Sequence, residues 1–90
     1  MNSSTKKTLT SDQIRAARAL IRWSAEDLAR SSSVGLTTIR RAELTIEETS
    51  LTAANNLAIR NALEAAGVEF IDENGGGPGV RLRKPIRQKR

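Results

Sequence analysis

The chain contains no cysteine, no histidine and no tyrosine, and only one tryptophan, one phenylalanine and two prolines in 90 residues. Each absence excludes a class of chemistry. Without cysteine there is no disulfide framework, and without cysteine or histidine the usual zinc and thiol chemistries are missing. Nucleophile–base pairs built on histidine or cysteine are excluded for the same reason. The adjacent carboxylates, Glu47–Glu48 and Asp72–Glu73, fall in polar stretches where nothing would raise a pKa. Enzymatic activity is therefore not expected, and no metal or cofactor is implied. No apolar run approaches the ~20 residues of a membrane span. The first eight residues, MNSSTKKT, lack the apolar core of a signal peptide. A cytoplasmic protein with no membrane partner is the expectation.

What is present is charge, unevenly placed. The net charge is +5, but the ends carry it. Residues 81–90 hold six bases (Arg81, Arg83, Lys84, Arg87, Lys89, Arg90) and no acid, and Lys6 and Lys7 lie near the start. Residues 11–80 hold seven arginines against ten acids, a net of −3. The chain is thus a slightly acidic domain with a basic C-terminal arm, not a uniformly basic surface. Ninety residues make one small domain with tails. A core of about 60 residues buries only roughly 60% of its unfolded surface, so dimerisation would help stability.

In chain order, residues 1–9 read as a disordered leader. Thr10-Ser11-Asp12-Gln13 fits a capping box, and a first helix runs from there to about Arg22. Ile14, Ala17, Leu20 and Ile21 form its apolar stripe, with Arg15 and Arg18 facing away, either solvated or engaging a phosphate or a carboxylate such as Asp27 or Glu43. Ser24 is a good N-cap, with Glu26 and Asp27 in the first turn, where the helix dipole favours them. Trp23 and Leu28 have the spacing of a hydrophobic staple, and no second aromatic stands near Trp23 to suggest base stacking. Three serines at 31–33 favour a turn. Gly35 can cap the next helix, with Val34 and Ile39 repeating the staple. Leu28, Ala29, Val34, Ile39 and Ala42 are then the core residues of this stretch. Leu36, Thr37, Arg40 and Arg41 fall on the outer face of the second helix. This is a helix-turn-helix layout, whose second helix can enter a major groove.

Beyond residues 45–51, an acidic loop, Thr52 can cap a fourth helix to about Ala66. Ala58, Ile59, Ala62, Leu63 and Ala66 would be its buried stripe, Arg60, Asn61 and Glu64 its wet face, and Leu57 lies off the stripe. Gly67 suits the C-cap. VEFI (68–71) and VRLR (80–83) read as strands around the turn DENGGGPG, giving a short hairpin whose open edge could pair with a second copy. The glycine run is no phosphate loop, because neither a following helix nor a Gly-Lys-Ser/Thr is present. The expected architecture is mainly α: a four- to five-helix domain over 10–67, with its third helix at about 36–44. A C-terminal β-hairpin follows at 68–83 as a possible dimer element, and then a disordered basic tail at 84–90.

The stretch WSAEDLARSSSVGLTTIRRAE resembles the Xre/Cro, lambda-repressor-like family of bacterial helix-turn-helix transcription regulators. Its wording is similar to W-S-x-x-x-L-A-x-x-x-x-V-x-x-x-T-I-x-x-x-E. The ending GVEFI-x-ENGGGPGVRLRK, residues 67–84, resembles compact members of that family. The resemblance implies a homodimer that binds double-stranded DNA, repressing or autoregulating a promoter. It places Leu36, Thr37 and Arg41 at base edges, with Ser24, Thr38 and Arg40 as candidates for phosphate contacts. Lys84, Arg87, Lys89 and Arg90 would add non-specific, salt-sensitive phosphate contacts. The alternative is an antiactivator that captures a transcriptional activator protein, with Leu36 and Leu57 as apolar anchors. The acidic body favours that alternative. So do Ser33 and Leu44-Thr45 where the family commonly has glycine, and Ala25 where it often has glutamine.

Overall fold

The computed structural model describes residues 8–46, 51–73 and 75–83. Local capping chemistry sets where its helices begin. Helix α1 spans Ser11–Ile21. The Thr10 hydroxyl accepts from the Gln13 N–H at 3.0 Å, and the Gln13 side chain accepts from the Thr10 N–H at 3.0 Å. Two of the orphan N–H groups of the first turn are thus satisfied. The helix ends at Arg22, which adopts φ 60°. The Arg22 and Trp23 N–H groups turn back to the carbonyls of Ala19 and Arg18, a Schellman-type end made without glycine.

Helix α2 spans Ala25–Ser32 behind a Ser24/Asp27 capping box, and helix α3 spans Leu36–Leu44 behind Gly35, which offers no side-chain cap. Helix α4 spans Ala53–Ala65, with the Thr52 hydroxyl accepting from the Asn55 N–H. Gly67, at φ 109°, turns the chain into strand β1, Val68–Ile71. Strand β2, Gly79–Leu82, returns antiparallel with Val68 opposite Leu82 and Phe70 opposite Val80. The described residues are mainly helical, four helices with one two-stranded hairpin. None of the helices among the described residues is long and apolar enough to cross a membrane.

The core is drawn from every helix and from β1: Leu9, Ile14, Ala17, Leu28, Val34, Ile39, Ala42, Ile59, Leu63 and Val68 are buried together. Phe70 and Val80 pack against them from the inner face of the hairpin. The outer face carries Glu69 and Arg81, paired at 3.2 Å. Gln13 serves two ends of the fold. Besides capping α1 it donates to the Gly79 carbonyl at 3.1 Å, tying α1 to the hairpin. An isolated two-stranded hairpin is marginal in water, and here it is held against α1.

Three expectations are corrected. Leu9, placed in the leader, is fully buried, and its N–H donates to the Asn56 side chain at 2.9 Å; the domain begins before Thr10. Leu20, placed on the buried stripe, is 37% exposed, because α1 ends one residue later and the core contacts of its last turn pass to Ile21 and Trp23. Arg60, placed on the wet face, is only 3% exposed. Its guanidinium lies 4.9 Å from the Phe70 ring centroid and within 3.6 Å of Glu64 and 3.4 Å of Asp72. The long arginine stem covers apolar surface while its head keeps carboxylate partners. Residues 1–7 of the leader, Glu47 and Glu48, and the tail residues Lys84, Arg87, Lys89 and Arg90 lie outside the described residues.

Candidate nucleic-acid interface

The α2–α3 unit is fixed by its small connection. Ser33 ends α2 in the left-handed conformation at φ 60°. The Ser32 hydroxyl donates to the Leu28 carbonyl at 2.7 Å and accepts from the Val34 N–H at 3.2 Å. That arrangement turns Val34 inward, and Leu28, Ile39 and Ala42 follow it into the core. With Ile39 and Ala42 committed to the inside, 3.6-residue periodicity turns Thr37, Arg40 and Arg41 outward. All three are exposed, and Leu36 and Thr38 are half-buried.

The last turn of α3 is clamped to α1. The Arg18 Nε and Nη2 atoms each lie 2.7 Å from a different oxygen of Glu43, and Nη1 donates to the Trp23 carbonyl at 2.9 Å. Of the two readings for Arg18, the geometry selects the carboxylate partner. Arg15 pairs with Asp12 on the outer surface of α1.

The outward cations differ in how far they are already used. Arg40 pairs with Glu26 at 2.9 Å, with both side chains more than half exposed, the kind of ion pair worth little in water. Arg30 pairs with Asp27 at 2.6 Å. Arg41 has no hydrogen bond or ion pair among the described residues. It lines a groove of about 220 Å³ between α3 and the start of α4, with Thr38, Ala42, Leu51, Thr52 and Asn55. Thr52 and Asn55 were not singled out from the sequence beyond the cap. No local signal marks them, because the groove exists only where α3 and α4 converge.

Ser24 caps α2: its hydroxyl accepts from the Asp27 N–H at 3.0 Å. Asp27 is held below the ordinary carboxylate range chiefly by the Ser24 backbone N–H, then by the Ser24 hydroxyl and by Arg30. Glu26 is lowered chiefly by its own backbone N–H, then by Arg40 and Ser24. Both are ionised at neutral pH, so the positive end of the α2 dipole is already answered by two carboxylates. Leu57 is 51% exposed on α4, away from the groove. No cluster of acidic residues able to hold a metal occurs among the described residues. No protein-family model matches the chain, and no curated protein matches it.

Proposed function

We propose that this protein is a helix-turn-helix, sequence-specific DNA-binding regulator that acts as a homodimeric repressor or autoregulator with α3 in the major groove. The carrying observation is Arg41: an outward guanidinium on α3 with no partner among the described residues, next to the exposed Thr37. Such an arginine keeps its full set of donors for guanine O6 and N7, and a desolvated pair of that kind is worth about 1–3 kcal/mol of discrimination. Thr37 reaches a neighbouring base edge. Leu36, half-buried at the first turn, offers a thymine methyl only part of its surface. Arg40 exchanges an exposed Glu26 partner for a phosphate at little cost, and Thr38 adds a hydroxyl beside Arg41. Ser24 caps α2 by accepting from the Asp27 N–H and keeps its O–H donor for a phosphate. Lys84, Arg87, Lys89 and Arg90 supply sequence-independent attraction.

The test is an NMR titration of labelled protein with a duplex from its own upstream region against a scrambled duplex, at moderate salt. Shifts concentrated at residues 36–41 and favouring the upstream duplex are expected. Shifts confined to 81–90 and equal for both duplexes would overturn the major-groove assignment.

One observation favours the second reading, capture of a transcriptional activator protein. The α2 N-terminus, a natural seat for a phosphate, is filled by Glu26 and Asp27. On that reading Leu36 and Leu57 anchor the partner, and the same titration shows no preference between duplexes while Leu57→Ala weakens capture.

A further inference from the structure

The first turn of α2 carries one more anion than its cap uses. Asp27 closes the capping box: its side chain accepts from the Ser24 N–H at 2.9 Å while its own N–H donates to the Ser24 hydroxyl. Glu26 takes no part in that box. Its carboxylate reaches across to α3 and accepts from Arg40 Nη2 at 2.9 Å, 14 residues away in sequence. Its own backbone N–H, then Arg40 and the Ser24 hydroxyl, favour the ionised form. An N–H at a helix N-terminus, a serine hydroxyl and an arginine are the donor types that a DNA phosphate takes. Ser24 and Arg40 are both among the phosphate contacts expected from the sequence. One carboxylate of the chain itself thus stands among the donors that would hold a phosphate.

We propose that Glu26 is a built-in phosphate surrogate: it holds Arg40 in the free protein, and the DNA backbone must displace it when a duplex docks. The inference rests on the DNA reading of α3 and gives Glu26 the role of setting its sequence-independent affinity. The reason is electrostatic. A free arginine that neutralises a phosphate releases condensed counterions and steepens log K against log salt by about 0.9. Arg40 is not free. It gives up one anion for another, and the displaced carboxylate, carried on the turn that follows Ser24, remains near the phosphate. The Glu26–Arg40 patch has no net charge, so its docking releases no net counterion. The exchange costs little, and it also gains little. Asp27 and Arg30 cancel each other in the same way on the same helix. The α2–α3 surface is left with Arg41 as its one unpaired base among the described residues. Binding there then depends on base contacts more than on attraction to any DNA backbone.

The test is fluorescence anisotropy of the full chain and of Glu26→Gln on the upstream duplex and on a scrambled one, from about 50 to about 300 mM salt. Glutamine keeps the size and polarity of the side chain and removes only its charge. The variant should bind both duplexes about 5-fold more tightly at the lowest salt, with the gain gone at the highest, which corresponds to a slope steeper by about 0.9. The ratio between the duplexes should not change, because a phosphate contact carries no sequence information. Asp12→Asn frees Arg15 from an exposed pair on α1 and adds the same charge; it should leave the slope at its wild-type value. Arg40→Ala combined with Glu26→Gln should return the slope to wild type. Circular dichroism melts of the same variants confirm that they fold. A Glu26→Gln slope equal to wild type overturns the proposal, and so does an equal gain in Asp12→Asn, which would reduce the effect to net charge. The sequence-specific reading fails differently: wild type then binds both duplexes equally, and the Glu26→Gln gain is still measured on each. Absence of binding to either duplex by wild type and Glu26→Gln alike overturns both.

Discussion

Replacing Glu43 by glutamine should destabilise this domain by about 2–3 kcal/mol, although the substitution removes no atoms from the core. Glu43 receives both arms of the Arg18 guanidinium at 2.7 Å, with side-chain exposures of 20% for Arg18 and 10% for Glu43. Exposed ion pairs contribute about 0.2–1 kcal/mol, and breaking one side of a fully buried pair costs about 3–5 kcal/mol. This pair lies nearer the buried limit. Its two parallel charge-assisted bonds give it more geometric definition than a single contact. A glutamine at this position could keep one hydrogen bond but would leave the Arg18 charge uncompensated among half-buried neighbours. For a domain of this size a loss of about 2–3 kcal/mol lowers Tm by roughly 10–20 °C. Arg18→Met alone should cost a similar amount. The double variant Arg18→Met/Glu43→Leu should recover most of the loss, because no unpaired charge remains. Urea unfolding of wild type, Arg18→Met, Glu43→Leu and the double variant gives the coupling energy, expected at about 3–4 kcal/mol when each single variant costs about 2–3 and the double about 1 or less. It should be largely retained in about 1 M salt, since little-exposed pairs are weakly screened. A coupling below about 0.5 kcal/mol would refute the argument, and α3 would then be held on α1 by its apolar contacts alone.

Arg41→Ala should reduce specific DNA affinity by about 1–3 kcal/mol and relax preference at one base pair, measured by fluorescence anisotropy on matched and single-mismatch duplexes. Deleting residues 84–90 removes four bases. It should therefore flatten the dependence of log K on log salt by up to about 3.6 per protomer, at roughly 0.9 per phosphate neutralised, while the melting curve stays unchanged. Ser33→Gly should stabilise by about 0.5–1 kcal/mol in thermal melts: relief of a left-handed serine at φ 60°, worth about 1–2 kcal/mol, exceeds the added freedom of glycine in the unfolded chain. Asp27 has a depressed pKa in the folded state. Its contribution is thus complete above the unfolded value near 3.9 and is lost as pH falls through the lower folded value. Asp27→Asn should accordingly show a shallower loss of stability below about pH 4 than wild type, by melts across about pH 2–6.

How far the sequence could be read depended on the range of each interaction. The caps at Thr10, Ser24, Gly35 and Thr52 were legible because a cap spans only three residues, and all four stand where the pattern puts them. The strand at Val68–Ile71 was equally local. Leu9 was not legible: one leucine after a polar run looks like leader, while its side chain joins a core drawn from distant elements and its N–H is held by Asn56, 47 residues away. Arg60 failed for a different reason. The helical periodicity put it on the wet face, off the Ile59 and Leu63 stripe, but whether an arginine there is wet depends on what arrives above it. Phe70 and Asp72 arrive only because the hairpin folds back. Leu44 was read as the end of the third helix and Ile46 as part of a plain solvated loop, and both are exposed, at 80% and 94%. The anchoring of Glu43 by Arg18 and of the Thr45 carbonyl by the Ser11 hydroxyl, on either side of Leu44, is a long-range event with no local trace.

The pairing of charges on α2 and α3 changes what a neutral segment means. Residues 24–44 contain three acids and three bases, which as a sum would argue against an anionic partner. In space the acids are consumed locally: Glu26 by Arg40, Asp27 by Arg30, and Glu43 by Arg18 from α1. Because Glu43 is neutralised from outside the segment, one base is left over, and it is Arg41, facing the groove beside Thr38. Borrowing Arg18 from α1 thus does two things at once. It fixes the angle of α3 on the body of the domain, and it releases one cation on the surface that the DNA reading requires. A single arginine discriminates between bases but attracts DNA weakly. On the proposed function the bulk electrostatic attraction therefore falls to the basic C-terminal arm. Arg81 is neutralised by Glu69, so that attraction rests on Arg83, which donates only to the neutral Glu64 carbonyl and keeps its charge, and on the four bases of residues 84–90. The two ends of the interface then have separate tasks: α3 reads the sequence with few contacts, and the tail supplies the salt-sensitive affinity that lets those few contacts decide.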